Sequence, residues 1–265
     1  MMNPEPRIAA AVVIYNQECA QSAACGSLSQ ITDVGVYLLD NSTQPNGNAA
    51  WCAQRGWRYI AMGGNAGLPK AYNAALDQAQ SLFDALVLLD DDTAVPAGYF
   101  ALLRQRLRAS AAQVFAPIVR DEAGLLSPCV IHGHRVRRAA GGDGWQQDFS
   151  AINSGLALRL PVPGGLRYDE GYFLDYADHA FVRALKAAGA AFEVLPVQLQ
   201  QRFSNNQRGD AAAALRRYRL FRTDFTRFCA DSWSGRFYGR LYLCKRALLL
   251  ALRHRNAAFL KATRK

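Results

Sequence analysis

Three carboxylates stand in a row at Asp90-Asp91-Asp92, directly after the apolar run Leu86-Val87-Leu88-Leu89. Neighbouring carboxylates repel one another, a cost that is tolerated most readily where a cation or a substrate offsets it. Hard divalent ions take carboxylate and phosphate oxygens, so an Asp-x-Asp at a strand end suits Mg2+ or Mn2+ holding a diphosphate. The competing reading is a solvated turn with helix-capping acids before Pro96. A second acidic group runs from Asp169 to His179, with Tyr172, Phe173 and Tyr176 between the acids and a helix pattern (Phe181, Val182, Leu185) after them. The spacing predicts Asp175 and Asp178 on one helical face. A carboxylate half-buried among aromatic rings has its pKa raised, which suits a general base; N-terminal capping is the alternative. The loop Gly63-Gly64-Asn65-Ala66-Gly67, running into Leu68-Pro69-Lys70, exposes backbone N–H groups at a helix start and can receive an anion or sugar hydroxyls. Gly and Asn suit any strand-to-helix turn equally well. His132 and His134, two apart on one face of a predicted strand and without a third ligand, read as ordinary surface histidines.

These groups need a scaffold that gathers them. Apolar runs at Ile8–Tyr15, Val34–Leu39, Trp57–Ile60 and Ala85–Leu89 alternate with helical stretches, most clearly 69–83, where Leu68, Tyr72, Leu76, Ala79 and Phe83 recur at helical spacing. Pro69 is tolerated in the first turn. Alternating strands and helices predict an α/β chain with a parallel, doubly wound sheet, whose ligands bind outside the carboxyl ends of the strands. Polar residues follow each run there: Tyr15-Asn16, Asp40-Asn41-Ser42, the glycine loop, and the three acids. No GxGxxG follows the first strand, so a dinucleotide site lacks support. From about residue 113, strand candidates at Val114–Val119, Ile131–Arg135, Phe149–Leu160 and Phe192–Leu199 predict a mixed-sheet half completing the same domain, and from Asp210 onward only helical patterns remain.

The chain has 265 residues, half of them hydrophobic, and a net charge of +10 from 31 Lys and Arg against 21 acids. Residues 211–265 hold 14 basic residues against two acids, or +12; residues 1–210 hold the other 17 against 19, or −2. The basic character therefore belongs to the C-terminal fifth, where an anionic membrane or a nucleic acid competes with a plain solvated face. Six cysteines without CxxC or zinc-type spacing read as reduced cytosolic core thiols. No apolar run approaches the roughly 20 residues of a spanning helix.

Taken in order, Val12-Val13-Ile14-Tyr15-Asn16, Leu39-Asp40-Asn41-Ser42, Gly64-Asn65-Ala66-Gly67-Leu68 with Ala71-Tyr72-Asn73, Leu88-Leu89-Asp90-Asp91-Asp92-Thr93 and Phe173-Leu174-Asp175-Tyr176-Ala177-Asp178-His179 resemble the family 2 glycosyltransferases of GT-A fold, especially a bacterial rhamnosyltransferase-like branch. The resemblance covers about residues 8–229. It implies a Rossmann-like nucleotide-binding half with a mixed central sheet over 1–209, and a basic helical extension over 210–265. It also implies that Asp40 contacts the nucleobase, that Asn65 lies by the nucleoside, and that Asp90 and Asp92 form the Asp-x-Asp pair, Asp92 ligating the metal and Asp90 lying by the ribose or the metal. Tyr15, Gly67, Lys70 and Asp91 complete the nucleotide-sugar side. Asp178 falls at the catalytic base and Asp175 at a supporting acid, with Asn153-Ser154-Gly155 and His179 on the acceptor side. Many relatives carry a Glu where this chain has His179-Ala180, and a metal-ligating His before a Ser where it reads Gln200-Gln201-Arg202-Phe203-Ser204, which predicts a cation held by the acids and the diphosphate.

The implied reaction is inverting transfer of a hexose, rhamnose among the candidates, from a nucleoside-diphosphate sugar to a saccharide acceptor, with Mg2+ or Mn2+, in bacterial surface polysaccharide synthesis. In the C-terminal fifth, Tyr218, Phe221, Phe225 and Phe228 form a stripe suited to packing on the catalytic part. Phe237, Leu241, Cys244, Leu248 and Leu252, with Arg236, Arg240 and Arg246 around them, suit a helix lying in an anionic membrane interface. A lipid-linked acceptor at the cytoplasmic face would then follow, with the chain peripheral on the inner membrane face. The alternatives are a sugar nucleotidyltransferase, a nucleotide-binding relative without turnover, and a basic nucleic-acid-binding module. The first lacks its basic phosphate loop after strand one, and the last has no recognised binding motif.

Overall fold

The structure is a computed structural model and describes residues 4–138, 148–201 and 210–263. Its first half alternates as the periodicity predicts: β1 (Ile8–Ile14), α1 (Ala23–Leu28), β2 (Gly35–Asp40), α2 (Asn48–Ala53), β3 (Arg58–Ala61), α3 (Leu68–Ala79), β4 (Ala85–Asp90), the short β5 (Thr93–Ala94) and α4 (Tyr99–Ala109). The second half is β6 (Val114–Asp121), β7 (Gly124–Ser127), β8 (Cys129–His132), β9 (Arg135–Arg138), β10 (Phe149–Ser150), β11 (Leu156–Arg159), α5 (Ala177–Ala187) and β12 (Phe192–Gln201), followed by α6 (Ala211–Phe228), α7 (Trp233–His254) and α8 (Ala258–Thr263).

The main sheet runs β3-β2-β1-β4-β11-β6-β12-β5, with β7 paired to β6. β1 to β4 are mutually parallel, while β11 lies antiparallel between β4 and β6, which makes the sheet mixed. A separate small sheet has the order β10-β8-β9. All seven residues of β1 are buried, and they alternate between two cores: Ala9, Ala11 and Val13 face the layer of α3, α5 and α6, whereas Ile8, Ala10, Val12 and Ile14 face that of α1 and α4. A strand covered on both faces must read as an unbroken apolar run, and that is the pattern visible in the sequence.

Several predicted elements differ in extent. The helix expected over 69–83 ends at Ala79, and Phe83 instead packs its ring edge-on against Tyr37. The run Ile131–Arg135 is two strands folded about Gly133, which has a φ of +60°. His132 and His134 therefore do not share a strand face. His132 meets Asp148, and His134 is largely buried against Phe228 and paired with Asp231. The run Phe149–Leu160 is broken between β10 and β11 by a loop that holds Asn153, Ser154 and Gly155. Five cysteines are buried thiols, but Cys244 is exposed on α7, so it is not a core residue.

The C-terminal helices join the same apolar cluster as β1 and β4. Tyr218, Phe221, Phe225 and Phe228 are all buried in it, as their spacing predicts. α7 lies against α6 through Gly235, Gly239, Leu243 and Ala247; a Cβ on Gly239 would already sit 3.0 Å from that of Cys229. Its opposite face carries Trp233, Phe237, Leu241, Leu248 and Leu252, exposed by 50 to 74%. Among the described residues no helix is long and apolar enough to cross a membrane.

Candidate active site

Parallel pairing brings the carboxyl ends of the first strands to one edge. Val13 is in register with Asp90 and Ile14 with Asp40, so the two acids leave the sheet on either side of the end of β1, where exposed Tyr15 follows. β11 starts opposite Leu88, which turns the loop of Asn153, Ser154 and Gly155 at the same edge. Gly155 N–H donates to the Leu88 carbonyl at 2.8 Å, and Ser154 Oγ donates to Asp90 Oδ2 at 2.7 Å. Tyr72 on α3 gives its hydroxyl to Asp90 Oδ1 at 3.2 Å. Asn153 Oδ1 accepts from the buried Tyr168 hydroxyl at 2.6 Å, and the Tyr168 ring stacks on Phe181 of α5. At the other end of the acidic run, β5 pairs Thr93 with Gln201 of β12, and Gln201 Nε2 donates to Asp92 Oδ1 at 3.2 Å.

Burial pushes the Asp90 carboxyl up to about 6; the Ser154 hydrogen bond opposes that, while the charges of Asp92 and Asp178 add to it. Asp91 is likewise pushed up to about 6, by burial first and by Asp92 second. Burial also raises Asp92, against hydrogen bonds from Thr93 and Gln201. Asp91 has a structural duty as well: its backbone carbonyl accepts from Ser22 Oγ and Ala24 N–H, which fastens the acidic turn to α1. That the Asp178 charge acts on Asp90 puts the start of α5 close to this strand edge.

Asp178 sits in the first turn of α5, where its Oδ1 accepts the His179 N–H at 2.7 Å, and His179 Nδ1 meets Ser150 Oγ at 2.9 Å. Asp175 does not share its helical face. Tyr176 between them adopts a left-handed φ of +62°, so the helix starts only at Ala177. Both Asp175 oxygens are instead taken by the Arg217 guanidinium of α6, at 2.5 and 2.6 Å. Three residues outside the sequence reading complete the arrangement. Asp224 of α6, 0% exposed, accepts the backbone N–H groups of Phe173, Leu174 and Asp175 at 3.0, 2.9 and 2.8 Å. Arg227 grips Asp169 with two bonds, so one helix holds the segment leading to Asp178 at three points. The available signal was a lone acid within the aromatic stripe of Phe221, Phe225 and Phe228.

Gly67 joins this segment to the glycine loop. Leu68 N–H donates to the Phe173 carbonyl at 2.8 Å, and Gly67 has a φ of +88° with that same carbonyl 2.8 Å from where a Cβ would stand. The position needs glycine on both counts. Asn65 and Lys70 flank it, exposed at the same edge. Asp40 is only 3% exposed, and its oxygens accept from Ser42 N–H (2.9 Å), Asn46 (2.9 Å), Asn48 (3.1 Å) and the Tyr59 hydroxyl (3.1 Å). Burial alone would raise its carboxyl, but the bonds from Ser42, Asn46 and Asn48 outweigh burial and hold it below the usual range. In this conformation Asp40 is a brace for the 41–48 loop, and any contact it makes with a base competes with four internal donors.

The donor set fits a hard divalent cation. Among the described residues no cluster of three or more His, Cys, Asp or Glu side chains forms a ready cage. Asp90 and Asp92 nevertheless present oxygens at one edge, and Gln201 Oε1 is buried beside Asp92 without a hydrogen-bond partner among the described residues. A buried acceptor without a donor is uncommon, and an amide oxygen is an ordinary ligand for Mg2+ or Mn2+ in company with phosphate. Arg202 to Ser204 lie outside the described residues.

No protein-family model and no curated protein matches the chain. Solved structures do. S. aureus TarS 1–349 matches over 88% of this chain and 68% of its own, at 13% identity and a TM-score of 0.55. Its complex with UDP matches over 90% and 70%, at the same identity and score. GalNAc-T7 with UDP, GalNAc and Mn2+ matches over 98% of this chain at 12% identity and a TM-score of 0.62, the chain spanning 56% of that protein's length. Likeness at such identity is likeness of architecture, and the architecture, with its mixed sheet and helical C-terminal part, is the GT-A glycosyltransferase fold.

Proposed function

We propose that this chain is an inverting glycosyltransferase that moves a hexose, rhamnose among the candidates, from a nucleoside-diphosphate sugar to a saccharide acceptor. The observation that carries the reading is that Asp90 and Asp92 stand at one strand edge of a GT-A fold, with Asp178 near enough for its charge to act on Asp90. UDP in TarS and UDP with Mn2+ in GalNAc-T7 support a nucleotide donor on this scaffold.

Asp178 takes the proton of the acceptor hydroxyl as its oxygen attacks the anomeric carbon from the side opposite the leaving group. The new carbon–oxygen bond forms while the bond to the diphosphate breaks with its electron pair, and the configuration inverts. Asp90 and Asp92, with Gln201 Oε1, would hold a divalent cation, which supplies Lewis-acid neutralisation of the departing diphosphate. Tyr15, Asn65, Gly67, Lys70 and Asp91 line the donor side, and Asp40 shapes it through the 41–48 loop. Asn153, Ser154, Gly155 and His179 border the acceptor side, and Asp175 supports the segment before Asp178 through Arg217.

The transfer unit is 1–209 and the basic helical extension 210–265, whose α6 packs into the same core and braces the segment before Asp178. The exposed apolar face of α7, in a segment carrying +12, supports a peripheral position on an anionic inner membrane face. A lipid-linked acceptor in bacterial surface polysaccharide synthesis follows from that position. Calorimetry of the full chain against a panel of nucleotide sugars with Mg2+ or Mn2+ tests the reading: saturable, cation-dependent binding of at least one is expected, and binding of none would overturn it.

A further inference from the structure

Next to the row Gly235, Gly239, Leu243 and Ala247 that packs on α6, helix α7 carries a second row at the same spacing: Tyr238, Tyr242 and Arg246. From first to last it rises about 12 Å. The two tyrosine rings lie 6.0 Å apart. Tyr176, the left-handed residue just before α5, joins them through the Phe225 ring of α6, whose centroid is 5.1 Å from that of Tyr176, 6.2 Å from Tyr238 and 4.9 Å from Tyr242. Burial raises the Tyr176 phenol, and the Tyr242 and Tyr238 phenols add to the rise, in keeping with three hydroxyls gathered in one place. The Tyr176 ring also stands 5.8 Å from that of His179, so the row begins beside the segment that carries Asp178.

The polar groups of this row are unanswered. The core tyrosines Tyr72, Tyr168 and Tyr218 each give their hydroxyl to a partner: Asp90, Asn153 and the Leu243 carbonyl. The half-buried Tyr176, Tyr238 and Tyr242 have no hydrogen-bond partner for theirs among the described residues, and none of these three hydroxyls is sealed from water. Arg246 lies with its guanidinium carbon 3.8 Å from the Phe221 centroid. No acid pairs with it among the described residues, and its Nε is buried without a partner. Buried donors are nearly always satisfied, so this one marks a place for an acceptor. At the other end Arg135 of β9 stands over Tyr238 at 5.9 Å, likewise without an acid among the described residues. The acids of the adjoining segments are taken: Asp175 by Arg217, Asp231 by His134 and Arg183, and Asp224 by three backbone N–H groups.

We propose that this row binds an acidic saccharide, with sugar rings along Tyr176, Tyr238 and Tyr242 and a carboxylate on Arg246. Phenol rings offer the apolar face of a sugar a flat, rigid contact, and their free hydroxyls bond its hydroxyl groups. A guanidinium forks onto a carboxylate with two parallel bonds. One unpaired guanidinium at each end of the row matches single charges spaced along a sugar chain, whereas a diphosphate would bring several to one point. A chain bound there has one end beside Asp178, which makes it the acceptor. That last identification rests on the glycosyl-transfer reading; saccharide binding by the row does not.

Calorimetry of the full chain tests this, with a nucleoside diphosphate and Mg2+ present throughout to occupy the edge at Asp90 to Asp92. The probes are oligosaccharides containing glucuronic or galacturonic acid, their neutral glucose and galactose counterparts, and inorganic pyrophosphate. Saturable binding of at least one acidic oligosaccharide is expected. It should weaken at least about tenfold for the neutral counterpart and in Arg246→Met, the loss of one charge-assisted bond. Tyr238→Phe and Tyr242→Phe keep the rings on Phe225 and remove only the hydroxyls, so weaker binding at an unchanged Tm separates recognition from folding. Binding of no acidic oligosaccharide, equal binding of the neutral ones, tighter binding of pyrophosphate that Arg246→Met abolishes, or binding unchanged in all three variants would overturn the proposal. The nucleoside diphosphate is titrated separately: its failure with saccharide binding intact counts against the glycosyl-transfer reading and not against the row.

Discussion

Removing the Asp224 carboxylate should loosen the segment that leads to Asp178, the proposed base, while leaving the acidic strand edge in place. Asp224 is fully buried and accepts three backbone N–H groups, from Phe173, Leu174 and Asp175. Asp224→Ala leaves all three without an acceptor. At about 1 kcal/mol net per bond this amounts to about 3 kcal/mol, equivalent to roughly 6–12 °C in Tm for a chain of this size. Asp224→Asn keeps one carbonyl oxygen and directs an amide towards donors, so about half of that loss is expected. Urea midpoints measure the stability term, and transfer rate against donor affinity separates the local effect from general unfolding. A fall in kcat well beyond any change in donor affinity is the expected split, since the bonds of Asp224 go to residues 173–175, which meet the glycine loop only through the Phe173 carbonyl among the bonds described. An Asp224→Ala protein within about 0.5 kcal/mol of wild type, with its transfer rate intact, would refute the claim that α6 positions Asp178.

Two further outcomes follow. Asp40 has a lowered folded pKa, so its stabilisation is fully present above the unfolded value of about 3.9 and is lost as pH falls through the folded one. Asp40→Asn should therefore cost about 1–3 kcal/mol at pH 7 and progressively less below pH about 4; an equal difference at pH 3 and pH 7 would contradict this. The full chain should float with anionic phosphatidylglycerol vesicles and not with neutral ones, and Leu241→Asp or Leu248→Asp should lower the bound fraction at least about tenfold, since an acid replaces an apolar contact. A wild type that ignores anionic vesicles would remove the membrane from the reading.

Much of the strand edge was legible because a parallel sheet covered on both faces leaves an unmistakable trace: unbroken apolar runs, each ending in polar residues at one edge. Asp90, Asp92 and Asp40 were placed at that edge in this way, and β1 and β4 fell within a residue of their predicted bounds. What was not legible depends on contacts between distant residues or on single backbone angles. Helical spacing joined Asp175 to Asp178 because nothing in the letters says that Tyr176 turns left-handed, and that angle sends Asp175 to Arg217 instead. The Asp224 anchor spans about fifty residues, and the β10–β11 break is a loop held by Gly155, whose φ of +82° an apolar run does not announce. The buried role of Asp40 was hidden for a related reason: Asn46, Asn48 and Tyr59 surround it only once the 41–48 loop folds back.

The role of Asp178 is tested most directly by single-turnover transfer and donor calorimetry on Asp178→Asn, which keeps an oxygen to accept the His179 N–H and removes the group that takes the proton. Transfer should fall by at least about 100-fold while the donor binds within about twofold of wild type. Transfer at the wild-type rate in this variant would contradict the assignment of Asp178 as the base.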